Sequence, residues 1–318
     1  MNPQPVLIDC DPGHDDAIAL LMALAVPEAL QVLGITTVAG NTTARQAALN
    51  ALRVCGLAGR PGLAVHAGCS QPLVARHADA SDFHGASGLD GWPADTTVPT
   101  APVVAAKHAV DFLIETLLAR TDPTTLVCLA PLTNVAMALR RAPHIREKIG
   151  EIVFMGGARR SGGNVTPCAT FNVFCDPHAA ADVFGSGVPL TLLSLDASSQ
   201  VVIADADLAE WDAIGSAAAA SASAMMKYFN ERRVARYGYG RDQTPLNDPC
   251  VIAYLLDRGL FQGTQVNIAV ETSSELTRGM TVVDLTGISG RAKNALWLDE
   301  ADAAGVRRTV LDCLRRLQ

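Results

Sequence analysis

The sequence predicts an α/β protein, an open, mostly parallel twisted sheet flanked by helices. Three observations lead there. Strand-like and helix-like segments alternate through most of the chain, the pattern of βαβ units. The first strand-like run, Val6-Leu7-Ile8, carries no polar interruption, as a strand buried within a sheet requires. Polar residues then collect just after the strand-like runs, where open parallel sheets bind their ligands.

The expected strands are Val6–Ile8, Val32–Val38, Leu63–Val65, Thr125–Leu129, Glu151–Met155 and Leu190–Leu195. Helical patterns at Ala17–Ala25, Ala44–Leu57, Leu132–Arg141 and Pro177–Phe184 follow most of them. Pro131 and Pro177 mark helix starts, because the fixed φ of proline suits a first turn. After Asp205 come a small-residue helical region (Ala217–Ala224), an aromatic and basic stretch from Met225 to Arg236, and a helix at Asp248–Leu256. Two more strand-like runs, Val266–Val270 and Met280–Leu285, precede an amphipathic helix at Ala301–Leu317. No internal repeat or low-complexity linker divides the chain, so residues 1–318 read as a single domain. Its long loops, about 69–102, 156–176 and 225–247, are of a length that is usually functional.

Composition narrows the function. A chain of 318 residues with 49% hydrophobic and 18% charged content is a compact globular protein. A net charge of −7 with no long basic run gives no footprint for nucleic acid. No apolar run is long enough to span a membrane, and the chain begins directly with a strand. The 8 cysteines are scattered, without a Cys-x-x-Cys pair or zinc spacing, which suits free thiols and a cytoplasmic location.

The chemistry concentrates in the first turn, Asp9-Cys10-Asp11-Pro12-Gly13-His14-Asp15-Asp16. Pro12 and Gly13 break the strand and gather four carboxylates at its carboxyl end. Like charges in a partly buried place repel unless something neutralises them, and a hard cation with oxygen ligands, calcium or magnesium, is the simplest compensator. Attraction to the positive end of the following helix would account for one or two of these acids, not four. Asn41, Asn134, Asn164, Asn172 and Asp176 fall after later strands. Each alone suits a turn or a cap, yet together they point to one polar crevice. Gly156-Gly157 lacks the strand–GxGxxG–helix context of a dinucleotide site.

The acidic run resembles the N-terminal signature of the inosine–uridine-preferring nucleoside hydrolases. So, in family order, do Gly34-Ile35-Thr36-Thr37-Val38-Ala39-Gly40-Asn41, the Phe83–Gly91 segment, Pro131-Leu132-Thr133-Asn134, Met155-Gly156-Gly157, Phe171-Asn172-Val173 with Asp176-Pro177, and Asn247-Asp248-Pro249-Cys250. The resemblance implies a Rossmann-like core and calcium-dependent hydrolysis of the N-glycosidic bond of a ribonucleoside to ribose and free base. It implies Asp11, Asp16, Asp248 and the Leu129 backbone carbonyl as calcium ligands, with Asp11 accepting a proton from the attacking water. Asp15, Asn41, Asn164 and Asn172 are implied as ribose binders, with Met155 as a sugar contact and Thr170 and Phe171 beside them. A homodimer or homotetramer is also implied.

Two positions depart from the family pattern. Asn247 stands where inosine–uridine members carry a histidine at the leaving base, and an amide has no proton to give at neutral pH. Thr170 stands where a glutamate usually meets the ribose 5′ side. His84 either faces the base or braces its glycine-rich turn. The Tyr228–Tyr239 segment reads as a lid carrying base contacts or as a surface helix. His14 is expected at solvent or at the helix N-terminus. The alternatives to a ribonucleoside hydrolase are a hydrolase for a modified nucleoside and a weakly catalytic nucleoside- or ribose-binding protein.

Overall fold

The computed structural model describes residues 2–74, 84–93, 96, 104–238, 240 and 244–317. Phe83, Tyr239 and much of the 69–102 stretch lie outside the described residues.

The chain runs β1 (Gln4–Cys10), α1 (His14–Ala25), β2 (Leu30–Thr37), α2 (Ala44–Leu57), β3 (Val65–Ala67), α3 (Ala109–Ala119), β4 (Thr124–Cys128), α4 (Thr133–Arg141) and β5 (Ile149–Met155). It continues with α5 (Phe171–Cys175), α6 (Pro177–Phe184), β6 (Leu190–Leu193), α7 (Leu195–Ser198), β7 (Val202–Ile203), α8 (Asp205–Asp212), α9 (Ala217–Tyr237) and β8 (Thr244–Pro245). It ends with α10 (Asp248–Leu256), β9 (Phe261–Val270), β10 (Thr281–Asp284), β11 (Ala295–Ala301) and α11 (Ala303–Arg315).

Among the described residues nine strands form the main sheet, in the order β10-β9-β11-β6-β5-β4-β1-β2-β3. The pairs from β11 to β3 are parallel, and only β9 runs against its neighbours β10 and β11. From β1 the chain winds outward through β2 to β3, then returns to β4 on the other side of β1. β1 and β4 therefore flank the topological switch point, the position at which open α/β sheets bind ligands.

Alternation along the central strands divides the core. Val6, Ile8 and Val127 face one helical layer, while Leu7, Leu126 and Phe154 face the other. Helix α1 is buried along its whole length, packed against α10, α2, α9 and α11. That explains its nearly unbroken apolar sequence after Asp16.

Several expected boundaries move. The strand expected at Leu63–Val65 is Val65–Ala67, and the run to Leu195 stops at Leu193 because Ser194 opens the short helix α7. Ala301 closes β11 and does not open the terminal helix; Asp302 caps it by accepting from the Gly305 N–H. The 225–247 loop is largely helical: Met225 to Tyr237 continues the small-residue helix as a single 21-residue α9, ended by Gly238 in the left-handed region.

Candidate active site

The acidic turn is held open by a glycine and fastened by backbone N–H groups. At Gly40 a Cβ would sit 1.9 Å from Asp11 Oδ2, so only glycine lets the β2–α2 turn come this close. The next amide, Asn41 N–H, donates to that same oxygen at 2.6 Å. Asp16 accepts from Asp11 N at 3.2 Å, Gly13 N at 3.1 Å and Asn41 Nδ2 at 3.2 Å. Asp9 turns the other way, accepting from Thr36 Oγ1 and Asn134 Nδ2. It belongs to the sheet's polar anchoring.

Asp11 and Asp16 are wholly buried, and Asp248 and Asp15 expose 4% and 8%. One oxygen each from Asp15, Asp16 and Asp248 lies within 4.8 Å of the others. The structure thus brings Asp15 into contact range with two of the expected ligands, while Asp11 stands beside them on its Asn41 tether. Burial and the neighbouring carboxylates push Asp11 and Asp248 well above the ordinary carboxylate range. Burial raises Asp15, and raises Asp16 to about 7. Asp11 Oδ1 is buried with no hydrogen-bond partner. Crowded carboxylates with an unpartnered inward oxygen and a carbonyl nearby are a donor set that fits a hard, oxygen-seeking cation.

Above this floor opens a cavity of about 550 Å³. Asp15, Asp248 and Asn41 form its base, and Leu129, Met155 and Asn172 one side. Asn172 Nδ2 bridges the Leu129 and Met155 carbonyls at 2.7 and 3.0 Å, tying the ends of β4 and β5 together. Asn164, Thr170 and Phe171 belong to the same lining. The Asn164 side chain accepts from Phe171 N at 2.8 Å, which folds the 156–176 loop back on itself. Buried Thr170 takes the Gly157 N–H on its hydroxyl at 3.0 Å. Asn247 also lines the cavity, accepting from Ser198 Oγ at 2.9 Å and hydrogen-bonding Asp15. Of the thirteen residues named for catalysis, substrate or cation, Asp11 and Asp16 are absent from the lining. Asn134 and Asp176, also expected at the crevice, are not part of it: Asn134 Nδ2 donates to Asp9, and Asp176 accepts from Thr133 Oγ1 and Leu73 N.

His84 does both things the sequence left open. It lines the cavity, and its Nδ1 meets His14 Nδ1 at 2.9 Å and the His14 N–H at 3.2 Å. Of the two places expected for His14, the structure shows the helix N-terminus and not solvent: it begins α1 and is wholly buried, its Nε2 donating to the Asp90 carbonyl at 2.7 Å. Its ring stacks on His84 with centroids 5.0 Å apart. Burial pushes both imidazoles down to about 4.

One organising residue was missed. Buried Asp196, at the start of α7, accepts on Oδ1 from the N–H groups of Arg159, Arg160 and Ser161 and from Ser161 Oγ. It secures the loop leading to Asn164, while Ser198 on the same short helix holds Asn247. The signal was present: an acid directly after a parallel strand, as at Asp11.

Residues 6–308 match the model of the family described as inosine-uridine preferring nucleoside hydrolase. The chain belongs to that family. A pyrimidine-specific ribonucleoside hydrolase, RihA, of a Shewanella species is 41% identical over 314 residues, covering 98% of this chain and 96% of its own. An uncharacterized protein of Schizosaccharomyces pombe is 38% identical over 313 residues, covering 98% and 99%. Among solved structures, a plant nucleoside hydrolase superposes with a TM-score of 0.90 at 28% identity, covering 98% of this chain and 99% of its own. A purine-preferring ribonucleoside hydrolase from Gardnerella vaginalis gives 0.88 at 28%, covering 99% of each. As a nucleoside hydrolase, the chain is an enzyme of the nucleosidase class.

Proposed function

We propose that the protein hydrolyses the N-glycosidic bond of ribonucleosides with the help of a bound calcium ion. The observation that carries this reading is the buried acidic floor at the β1–β4 switch point, with an unpartnered Asp11 oxygen beneath a nucleoside-sized cavity. Asp11, Asp16, Asp248 and the Leu129 carbonyl would hold the cation; when bound it lowers the pKa of a water and orients the ribose diol.

The chain's own groups do the rest. Asp11 Oδ1, lacking any donor, accepts the proton of the attacking water. Asp15 and Asn41 take ribose hydroxyls at the floor, and Asn164 and Asn172 take them from the side. Positive charge develops on the ribose ring as the base leaves, and the surrounding carboxylates and strand-end carbonyls favour it.

A second reading, a hydrolase for nucleosides modified at the 5′ position, draws on Thr170. Its hydroxyl is already engaged by Gly157 N–H, and it presents no charge to a 5′-hydroxyl. One experiment separates these readings: reducing sugar released from common ribonucleosides and from their 5′-deoxy counterparts, with calcium present. Release from the common set supports the first, release confined to the 5′-modified set the second. Binding without release from either set leaves a nucleoside-binding protein.

A further inference from the structure

The outer wall of the cavity carries a charge that the acidic floor does not use. Phe229, Arg233 and Arg236 follow one another at i, i+4 and i+7 on α9, so they share one helix face, and all three line the cavity. The Phe229 ring stacks on His84, centroids 5.2 Å apart and 21° between planes, and this pair gives the wall a flat aromatic surface. Carboxylates thus stand at one end of the cavity and guanidinium groups at the other.

Heterolysis of a glycosidic bond separates charge in the same sense. The ribose gains positive character and the departing base gains the electron pair. A base can be relieved of that pair by a proton, but among the described residues the wall is poor in acids. Asn247 is an amide whose oxygen accepts from Ser198 and whose side chain also bonds Asp15. His14 and His84 use their Nδ1 atoms on one another. Arginine does not give up its proton either, but it offers fixed charge and a fork of donors to carbonyl oxygens.

We propose that Arg233 and Arg236 stabilise a leaving base that departs as an anion, so that loss of their charge costs most on bases that leave without a proton. This rests on the nucleoside hydrolase reading above. The C1′–N bond breaks with its electron pair going to the base nitrogen, and water adds its oxygen to C1′. The proton of that water passes to Asp11, and the base anion takes a proton from solvent once it has left. The negative charge of such bases spreads onto their carbonyl oxygens, which a guanidinium can hydrogen-bond. Amino-substituted bases, with a poorer anion, gain less.

The test uses the calcium-loaded enzyme, its Arg233→Gln/Arg236→Gln double variant, and the corresponding double lysine variant. On uridine the glutamine variant should lose roughly 10²-fold in kcat, the scale of a lost charge-stabilising donor. On p-nitrophenyl riboside, whose leaving group is already a stable anion, it should lose less than about tenfold. Lysine, which keeps the charge, should recover part of the uridine rate. A second arm measures binding alone: 5-nitrouracil, an anion at neutral pH, should bind the parent protein about tenfold tighter than uracil, and the glutamine variant should lose that preference. Equal losses on both substrates, or a preference absent from the parent or retained by the variant, overturn the proposal. If no nucleoside is turned over, the hydrolase reading itself fails and this proposal with it; turnover with equal losses overturns this proposal alone.

Discussion

The floor of the cavity and its outer wall are fixed to the protein in opposite ways. The floor carboxylates sit at strand ends and helix starts, nearly inaccessible to solvent, each held by backbone N–H groups or by a neighbouring side chain. The wall residues ride on the last turns of a single helix, Arg233 half-buried and Arg236 exposed. Buried groups held by the backbone cannot be exchanged without disturbing the sheet, whereas an exposed helix face accepts substitution at little structural cost. On the function proposed above, the invariant task, ribose and cation, would fall to the floor, and the adjustable task, base selection, to the wall.

The largest effect should come from emptying the floor. Without a cation, burial and mutual repulsion keep Asp16 protonated up to about pH 7, and burial keeps Asp9 protonated up to about 6. Both values lie above the ordinary 3.8, so the folded state binds more protons than the unfolded chain. The contribution of these groups to stability is therefore complete below about pH 4 and is lost as pH rises through 6 and 7. A bound cation reverses the preference, since it requires the ionised forms, and at a thousandfold excess over Kd adds about 4 kcal/mol. Melting temperatures measured with calcium and with chelator should diverge as pH is raised from 5 to 8. A gap that is constant or narrows with pH would remove the cation from the acidic floor.

Next in size is the proton acceptor. Asp11→Asn keeps the shape and the Asn41 tether but abolishes basicity, and kcat on the best nucleoside should fall by at least about 10²-fold with the melting curve little changed. Asp15→Ala should act differently, raising KM along with the loss in rate, because Asp15 lines the cavity where Asp11 does not. Near-normal turnover of the Asp11 variant would transfer the role of base to Asp15, one oxygen of which lies within 4.8 Å of oxygens of Asp16 and Asp248.

The same division shows in what the sequence made legible. Floor residues announce themselves because Asp11, Asp15, Asp16 and Asn41 are compressed into short turns directly after apolar strands, where position alone gives their place in the fold. The parallel direction of the strands follows from the strand–helix alternation, but their order and the β1–β4 switch come only from the structure. The β11 strand escaped because its polar tail, Asp299-Glu300, breaks the apolar run; α3 escaped because no strand-like signal introduces it. His14 was legible as a helix N-terminal residue, but its burial was not, because local sequence offers no clue that His84, seventy residues on, folds over it. Asp196 followed the same strand-end rule as Asp11, yet it stands alone and not in a cluster, and a lone acid gives no contrast against the background of capping residues.

The smallest effect expected is at the seam between floor and wall, where Asn247 hydrogen-bonds Asp15 and lines the cavity. Asn247→His introduces a group that ionises near neutral pH and can protonate a departing base. Bases that leave poorly as anions should benefit most, so adenosine should gain several-fold over uridine in relative kcat, while p-nitrophenyl riboside stays near its parent rate. The larger ring also disturbs the Ser198 and Asp15 contacts, and that loss falls on every substrate alike because Asp15 serves the ribose. Ratios between substrates therefore isolate the leaving-group effect from the geometric one. Parallel changes on adenosine, uridine and p-nitrophenyl riboside would place Asn247 wholly with the floor, as a brace for Asp15, and leave base selection to the arginine face of α9 alone.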